Sequence, residues 1–337
     1  MKLSEIGEFG LINRISPPFL HDLPEGVVGI GDDAAIIERG NGEALLVTTD
    51  TLVEEIHFLK AKTSPRELGE KSLAVNLSDI AAMGGTPTSA FLALGLPRDT
   101  GVEWIDEFFA GLHQLAARER VALLGGDTTR SPGPILITIT VLGRAPLSHI
   151  KRRSAAQAGD ILCVTGDLGD SAGGLRVMLE ELPVGEDERY LLERHHRPRA
   201  HLAEGRLLGA QPGVRAMMDV SDGVDSDIRR IMEQSSCGAR IDLEQLPVSP
   251  ALRSASSHHG WDLTELVLAG GEDYCLLLTV DPSAMATVSE AFREKFAREL
   301  SAIGTIAGAQ GRLELFRDGR PARLGKHGFD HFLGRSA

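Results

Sequence analysis

The chain has 337 residues, of which 42% are apolar and 4% aromatic, and its formal net charge is −13. This length suffices for about two domains, and the negative charge argues against a nucleic-acid-binding surface. No stretch approaches ~18 uninterrupted apolar residues and the N-terminus lacks a signal-peptide core, so we expect no membrane span and a cytoplasmic protein. Three scattered cysteines fit a reducing compartment and no zinc site.

The first half of the chain is predicted to alternate strands and helices, with hairpin signals that exclude a plain parallel array. Strands are predicted over residues 27–37, 44–49, 89–97, 121–129 and 135–145. Helices are predicted over residues 64–85 and 102–120. Ser64 suits an N-cap, Pro65 suits the first helical position, and the pair of glycines at 84–85 ends the first of these helices.

A second unit is predicted to begin near Lys151, because the basic segment 144–158 lacks apolar periodicity. We therefore expect an N-terminal domain over 1–145 and a C-terminal domain over 151–337. Strands of the second unit are predicted over 159–167, 215–220, 239–246, 274–280, 301–308 and 313–318, and helices over 170–182, 191–196, 199–210, 224–235 and 285–300. The paired histidines at 195–196 and 258–259 lie among polar residues and are predicted to lie at the surface.

Five acidic segments each follow an apolar run, and four of them lie at predicted strand ends. They are GIGDDAA with Asp32 and Asp33, VTTD with Thr48, Thr49 and Asp50, NLSD with Asp79, LLGGDTT with Asp127, and MMDVSDG with Asp219, Ser221 and Asp222. Each one alone is readily explained as a turn. Together, their carboxylate and hydroxyl oxygens indicate Mg²⁺, and several Mg²⁺ ions in an acidic cleft indicate a polyphosphate ligand.

The common nucleotide-binding motifs are missing. There is no GxxxxGK[ST] loop, and the kinase signatures are absent. Residues 29–34 match the spacing of a dinucleotide-binding fingerprint. That motif requires a following helix whose N-terminus binds the pyrophosphate, whereas here a strand is predicted to follow. His57 could be an ordinary core or surface residue, Glu272 could lie in a solvated turn, and the KRRS cluster at 151–154 could be a solvated linker or a phosphate contact.

The motifs GEFGLI, GIGDDAA, TTDTLVEEIHF, KSLAVNLSDIAAMG, LLGGDTT, DVSDG, AGGEDY and GFDHF occur in this order. Each is weak alone, but the ordered set, from about Glu8 to Phe332, resembles the thiamine-monophosphate kinase family. The resemblance implies an α/β (α+β) protein of the aminoimidazole-ribonucleotide-synthetase-like superfamily, with two domains of mixed sheets flanked by helices. It also implies a homodimer, and direct transfer of the γ-phosphate of ATP to thiamine monophosphate.

The resemblance assigns roles to residues at matching positions. Metal ligation falls to Asp33, Thr48, Thr49, Asp50, Asp79, Asp127, Asp219 and Asp222, among which Asp50, Asp127 and Asp222 are expected to be catalytic. Contacts with ATP fall to Gly126, Asp127, Arg153 and Ser221, and contacts with thiamine monophosphate to His57, Glu272 and Phe329. The position of Phe329 is commonly Tyr or Trp in the family, and Phe keeps ring stacking but loses a polar group.

The sequence also bears on four other possible functions. A selenophosphate synthetase would carry a reactive Cys near its N-terminus, whereas the first cysteine here is Cys163. A hydrogenase-maturation relative would end in Cys, and a purine-pathway cyclo-ligase would lack the full IHF, GGEDY and GFDHF set. A catalytically silent Mg-nucleotide sensor would bind ATP without turnover.

Overall fold

A computed structural model describes residues 2–323, 328–329 and 331–332. Its helices are α1 Leu3–His21, α2 Pro65–Ala82, α3 Val102–Glu119, α4 Asp170–Leu179, α5 Glu186–His196, α6 Leu202–Gly209, α7 Val224–Gln234, α8 Pro250–His259, α9 Leu263–Ala269 and α10 Met285–Phe296. Short 3₁₀ turns cover Leu147–His149, Arg153–Ala155 and Leu243–Gln245.

The strands form two mixed sheets. They are β1 Val27–Val28, β2 Ala35–Glu38, β3 Glu43–Val53, β4 Thr86–Leu96, β5 Ala122–Arg130, β6 Leu136–Pro146, β7 Ile161–Val164, β8 Val214–Asp219, β9 Gly238–Asp242, β10 Leu276–Val280, β11 Ser301–Ala307, β12 Leu313–Arg317 and β13 Arg320–Ala322. The first sheet has the order β1-β2-β3-β6-β4-β5, and the second has the order β13-β12-β9-β11-β7-β10-β8. These mixed sheets with flanking helices confirm the predicted fold class.

Helix α2 starts where the sequence predicts. The Ser64 hydroxyl accepts a hydrogen bond from the Glu67 N–H at 3.3 Å, and the Glu67 carboxylate accepts one from the Ser64 N–H at 3.4 Å. Pro65 occupies the first turn, where its missing N–H costs nothing. Most of the helix is buried because α3 and α6 pack on it and it lies on the inner face of the first sheet.

Two glycines allow α2 to approach its neighbours closely. A Cβ added at Gly111 of α3 would lie 1.9 Å from the carbonyl oxygen of Arg66, and one added at Gly205 of α6 would lie 2.2 Å from that of Ala81. The helix backbones are therefore in near contact. Because α6 belongs to the second half of the chain, the second contact joins the two halves at α2.

One hydrophobic core runs between the halves. It combines buried side chains of the first sheet and α2, such as Leu46 and Leu77, with side chains of the second sheet, such as Met217 and Leu278. A separate core lies under α7, α8 and α9 on the other side of the second sheet, where Ile228 and Leu252 are fully buried. Helix α2 and the acidic residues near its end therefore lie between the two sheets.

The structure departs from the sequence-based expectations in several places. The strand predicted over 27–37 is broken into β1 and β2 by the bend that carries Asp32 and Asp33. Strand β3 continues to Val53, so Thr48, Thr49 and Asp50 lie within a strand and not at its end. Helices α1, α8 and α9 were not predicted, because each carries Gly, Pro or polar residues that interrupt its apolar pattern.

The prediction that His195 and His196 lie at the surface was wrong. His195 is 3% exposed and His196 is 8% exposed, because α5 packs on α4 and α8. The nearby polar residues Glu193 and Arg197 are exposed, whereas the two histidines face the protein interior. Among the helices described, none is both long and apolar enough to span a bilayer.

Candidate active site

Three carboxylates from distant parts of the chain converge between the two sheets. Asp33 lies in the bend between β1 and β2, Asp79 lies near the end of α2, and Asp219 is the last residue of β8. Each offers one oxygen, and these oxygens lie within 4.8 Å of one another. We call these three residues the carboxylate centre. Their side chains come from both halves of the chain, so the centre exists only when the two halves are packed together.

Hydrogen bonds from α2 and β3 hold the carboxylate centre in place. The Ser78 hydroxyl donates to Asp219 Oδ2 at 2.6 Å, and the Thr48 hydroxyl donates to Asp79. The side-chain oxygen of Asn76 accepts the backbone N–H of Asp50 at 3.0 Å. These bonds fix α2 against β3 and β8, and they aim Asp50 and Thr48 toward the same side of the first sheet.

Burial and mutual repulsion disfavour the ionised carboxylates. Burial, followed by the charge of Asp33, raises the pKa of Asp219 to about 8. Burial, followed by Asp33 and Glu8, raises the pKa of Asp50 to about 6. Burial followed by Asp50 raises the pKa of Asp79 well above its usual range. A bound cation would stabilise the ionised form of these carboxylates.

The donor set of this site fits Mg²⁺. All of its ligand atoms are hard oxygens, with no thiolate or imidazole among the three carboxylates. Asp33 Oδ2 is buried and makes no hydrogen bond within the part of the chain that the structure describes. A buried carboxylate oxygen without a donor is costly, and a cation would satisfy it.

Arg153 lies against the carboxylate centre. Its guanidinium Nη2 is 2.5 Å from Asp33 Oδ1, and the Asp33 side chain is 1% exposed. Asp32 holds this basic segment in place. Asp32 accepts the backbone N–H of Arg153 at 2.8 Å and the Nε–H of Arg152 at 3.1 Å. The two adjacent aspartates thus have different partners.

Asp227 is a buried acidic residue, close enough to Asp222 and Asp219 for their charges to raise its pKa, that sequence reasoning missed. It lies in the first turn of α7 and is 2% exposed, and its Oδ2 has no hydrogen bond within the described residues. Burial, followed by the charges of Asp222 and Asp219, raises its pKa well above the usual range. The available signal was its place five residues after Asp222, on a helix that starts directly after the DVSDG turn.

A second group of side chains lies next to Asp222. The backbone N–H of Phe329 donates to the carbonyl oxygen of Asp222 at 3.1 Å. The ring of His331 lies 4.9 Å from that of Phe329 and 5.0 Å from that of His57. We call the three residues His57, Phe329 and His331 the aromatic group.

Glu272 approaches the aromatic group from the GGEDY turn. Its backbone N–H donates to the carbonyl oxygen of Ser221 at 2.7 Å, and its carboxylate pairs with Lys71, 2.9 Å away. Lys71 is also one of the charges that lower the pKa of His57. The predicted contacts of the acceptor, His57, Glu272 and Phe329, are therefore brought into one region by residues of both halves.

Comparisons with known proteins identify the family. The families described as AIR synthase related protein, N-terminal domain and C-terminal domain, match residues 31–145 and 157–315. Thiamine-monophosphate kinase from Escherichia coli K12 is 39% identical over 330 residues, which cover 97% of this chain and 98% of that protein. The chain belongs to the thiamine-monophosphate kinase family.

Solved structures of the thiamine-monophosphate kinase family share the fold. A structure of AaThiL complexed with AMPPCP and TMP has a TM-score of 0.85 at 32% identity, and the match covers 98% of this chain and 99% of that one. Thiamine-monophosphate kinase from Stenotrophomonas maltophilia K279a has a TM-score of 0.75 at 37% identity, with 94% and 98% covered. The motifs that carried the family resemblance are therefore present on the matching fold.

The structure does not bring every residue assigned by the thiamine-monophosphate kinase motifs to the carboxylate centre. The side chain of Thr49 points to the outer face of the first sheet, where its hydroxyl is 3.2 Å from the carbonyl oxygen of Ile139. Asp127 lies within β5, three strands from β3, which corresponds to roughly 14 Å. The neighbouring Gly126 has no room for a side chain, because an added Cβ would lie 1.7 Å from the carbonyl oxygen of Leu92. Roles for Thr49, Gly126 and Asp127 stay predictions.

Proposed function

We propose that this chain catalyses the ATP-dependent phosphorylation of thiamine monophosphate to thiamine diphosphate. The observation that carries the proposal is the carboxylate centre, which lies beside the residues predicted to hold the acceptor. Family membership supports the same activity, as does the AaThiL structure complexed with AMPPCP and TMP.

The proposed transfer is a direct in-line displacement. An ionised oxygen of the acceptor phosphate forms a bond to the γ-phosphorus of ATP, while the bond from that phosphorus to the β,γ-bridging oxygen breaks. The electron pair of the broken bond leaves with ADP. The acceptor oxygen is already ionised near pH 7, so no general base and no phospho-enzyme are required. The protein has to position two anions and to neutralise their charge.

The metal-binding residues in this proposal surround the carboxylate centre. Bound Mg²⁺ would neutralise charge on the phosphates of both reactants. Asp33, Asp79 and Asp219 would hold such ions, and Thr48, Asp50 and Asp222 would add oxygen ligands around them. We propose several ions, because these oxygens outnumber those that one Mg²⁺ usually takes from a protein.

Nucleotide contacts fall to Arg153, Ser221, Gly126 and Asp127 in this proposal. The planar guanidinium of Arg153 suits a phosphate, and its carboxylate partner Asp33 would then be released toward a metal ion. Ser221 lies in the turn after β8, next to the Asp222 backbone that holds Phe329. Gly126 and Asp127 would reach the nucleotide from the edge strand β5.

The acceptor would be held by the aromatic group and by Glu272. Burial, followed by His331 and Lys71, lowers the pKa of His57 to about 4, so this imidazole is neutral near pH 7. Its Nδ1 accepts the Val53 N–H at 3.0 Å, which leaves the proton on Nε2 as a donor for a phosphate oxygen. Phe329 would stack on a thiamine ring without the hydrogen bond that a Tyr or Trp would add.

We also propose a cytoplasmic homodimer that forms through the outer face of the first sheet. Strand β5 is an exposed edge strand, and on the outer face of the neighbouring strands the side chains of Phe91 and Leu136 are 41% and 37% exposed. An exposed edge with apolar side chains favours pairing with another chain. A second copy would cover this surface.

Product analysis tests the proposed activity. Purified protein is incubated with ATP, Mg²⁺ and either thiamine monophosphate or free thiamine, and the products are separated and quantified. We expect thiamine diphosphate and ADP in equal amounts from the monophosphate, and no phosphorylated product from free thiamine. Binding of ATP without turnover by folded protein would instead support the sensor function and contradict the proposal.

A further inference from the structure

Lys71 is a fully buried cation that joins the two halves of the chain next to the acceptor residues. Its side chain is 1% exposed and projects from α2. Its Nζ lies 2.9 Å from Glu272 Oε1 and 3.0 Å from Oε2, so it contacts both oxygens of this carboxylate. Lys71 and Asp79 lie two helical turns apart on α2, which places them on the same side of the helix.

The Glu272 carboxylate is the accessible partner of this ion pair. Its side chain is 24% exposed, whereas Lys71 is enclosed. His195 Nδ1 lies 3.4 Å from Glu272 Oε2, and the Ser171 hydroxyl lies 3.0 Å from the same ring nitrogen. The backbone of Glu272 has φ +65°, a conformation that is costly for a residue with a side chain. Backbone and side chain are thus both held in one arrangement.

Stability alone is a weak reason to bury this lysine. Removing a lysine from water carries a large desolvation penalty, and an apolar residue of similar volume is often at least as stabilising as a buried ion pair. The ion pair does fix the direction of the Glu272 carboxylate. A carboxylate fixed in this way can accept hydrogen bonds from an amino group or attract a cation, and it repels a phosphate.

We propose that Lys71 is a positioning residue that orients Glu272 toward the cationic, amino-bearing heterocycles of the acceptor. The phosphate end of the acceptor would then face the carboxylate centre, which lies about two helical turns further along α2. This inference rests on the proposed function, which assigns Glu272 to the acceptor. It adds a residue that acts through Glu272 and touches neither phosphate.

Steady-state kinetics of Lys71→Met, Lys71→Arg, Glu272→Gln and the double variant Lys71→Met/Glu272→Gln test the inference. We expect Lys71→Met to raise KM for thiamine monophosphate by about tenfold or more, with kcat changed less than about threefold and KM for ATP unchanged. Lys71→Arg should restore most of the affinity because it keeps the charge and the hydrogen bonds. In the Glu272→Gln background, Lys71→Met should raise KM for thiamine monophosphate by less than about threefold more. The effects of two residues that act as a unit are not additive.

Several outcomes would overturn the inference. One is an equal effect of Lys71→Met on KM for ATP and on KM for thiamine monophosphate. Another is a double variant in which Lys71→Met raises KM for thiamine monophosphate as much as it does alone, which would indicate that Lys71 contacts a phosphate directly. Lys62→Met is the matched control, because Lys62 also crosses between the halves, to Glu181 at 2.7 Å, outside the site. Its kinetics should match those of the unmodified protein. Lys71→Gln replaces Lys71→Met if the latter does not fold.

The inference and the proposed function fail in different ways. If the unmodified protein makes no thiamine diphosphate, the proposed function is wrong. If the unmodified protein is active and Lys71→Met has an unchanged KM for thiamine monophosphate, the proposed function stands and Lys71 is not a positioning residue.

Discussion

Asp219 shows at the scale of one residue what the carboxylate centre costs the folded protein. Its pKa in the folded state is about 8, above the usual value of 3.8. Between these two pH values the folded state binds more protons than the unfolded state, so the free energy of unfolding falls as pH rises. The loss is complete only above about pH 8, where Asp219 must be ionised in the absence of a cation.

Asp219→Asn is therefore expected to stabilise the metal-free protein at pH 8 by about 1 kcal/mol or more, since one pKa unit corresponds to about 1.4 kcal/mol. Asparagine can still accept the hydrogen bond of Ser78, so the local contact is kept. At pH 4 the two proteins should be equally stable. Denaturant unfolding at both pH values measures this difference. A variant that is less stable at pH 8 than the unmodified protein would contradict the electrostatic account.

Added Mg²⁺ should change the relative stability of the unmodified protein and Asp219→Asn at pH 8. The unmodified protein is expected to gain more stability from Mg²⁺ at pH 8 than Asp219→Asn does, because a ligand that binds only the folded state stabilises it. Thermal unfolding with and without Mg²⁺ measures the two gains. Equal gains in both proteins would show that Asp219 does not take part in metal binding.

Arg153 pairs with Asp33 in the structure, so it would compete with a metal ion for this carboxylate. Arg153→Met should weaken ATP binding, because a phosphate contact is lost, and should tighten Mn²⁺ binding in the absence of nucleotide, because Asp33 is released. Calorimetry for ATP and electron paramagnetic resonance for Mn²⁺ measure the two effects. Arg153→Lys, which keeps the charge, is the control. Weaker Mn²⁺ binding by Arg153→Met would contradict this competition.

The residues that could be predicted from sequence are those with a local signature. Asp33, Asp79 and Asp219 each follow an apolar run in a short acidic motif, and these three converge in space. Lys71 has no such signature, because what matters is its contact with a residue far along the chain. Lys71 pairs with a residue 201 positions away, a contact that only the folded chain reveals.

At the scale of elements, α2 positions the site. It carries Lys71 and Asp79, and it packs on β3, on β8 and on α6. Its cap could be predicted because Ser64, Pro65 and Glu67 act on neighbouring backbone groups. Its close approach to α6 could not, because a glycine within a helix has no pattern of its own until its neighbour is known.

Gly205→Ala tests this packing. The added methyl group would lie 2.2 Å from the carbonyl oxygen of Ala81, so α6 has to move away from α2. We expect a loss of about 1–3 kcal/mol in the free energy of unfolding, as is typical of overpacking, measured by denaturant unfolding. Gly133→Ala is the control, because nothing lies within 4 Å of its added Cβ. A Gly205→Ala variant as stable as the control would contradict the close packing.

The sequence predicted most elements of the two sheets but missed the break between β1 and β2. Residues 27–37 are apolar on both sides of Asp32 and Asp33, so their pattern is that of one strand. The actual bend is stabilised by Arg152 and Arg153, which lie about 120 positions away. Tertiary partners of this kind override local strand preference.

At the scale of the whole molecule, the proposed dimer depends on the outer face of the first sheet. Phe91→Asp, at a residue that is 41% exposed on this face, should shift the protein from dimer to monomer, because a charge would be buried in the interface. Analytical ultracentrifugation measures the shift. Val184→Asp, at a residue that is 50% exposed in the loop between α4 and α5, should leave the dimer intact. A monomeric unmodified protein at micromolar concentration would contradict the proposed dimer.

The central claim is that the carboxylate centre supports transfer of the γ-phosphate of ATP to the phosphate of thiamine monophosphate. Tracing of γ-³²P-labelled ATP tests it most directly, with the unmodified protein and with Asp50→Asn and Asp79→Asn variants whose circular dichroism spectra show that they are folded. We predict one label in thiamine diphosphate for each ADP formed, and a loss of about 100-fold or more in both variants, as is typical when a transition-state charge is left unstabilised. Label found only in inorganic phosphate, or near-normal transfer by both variants, would contradict the account.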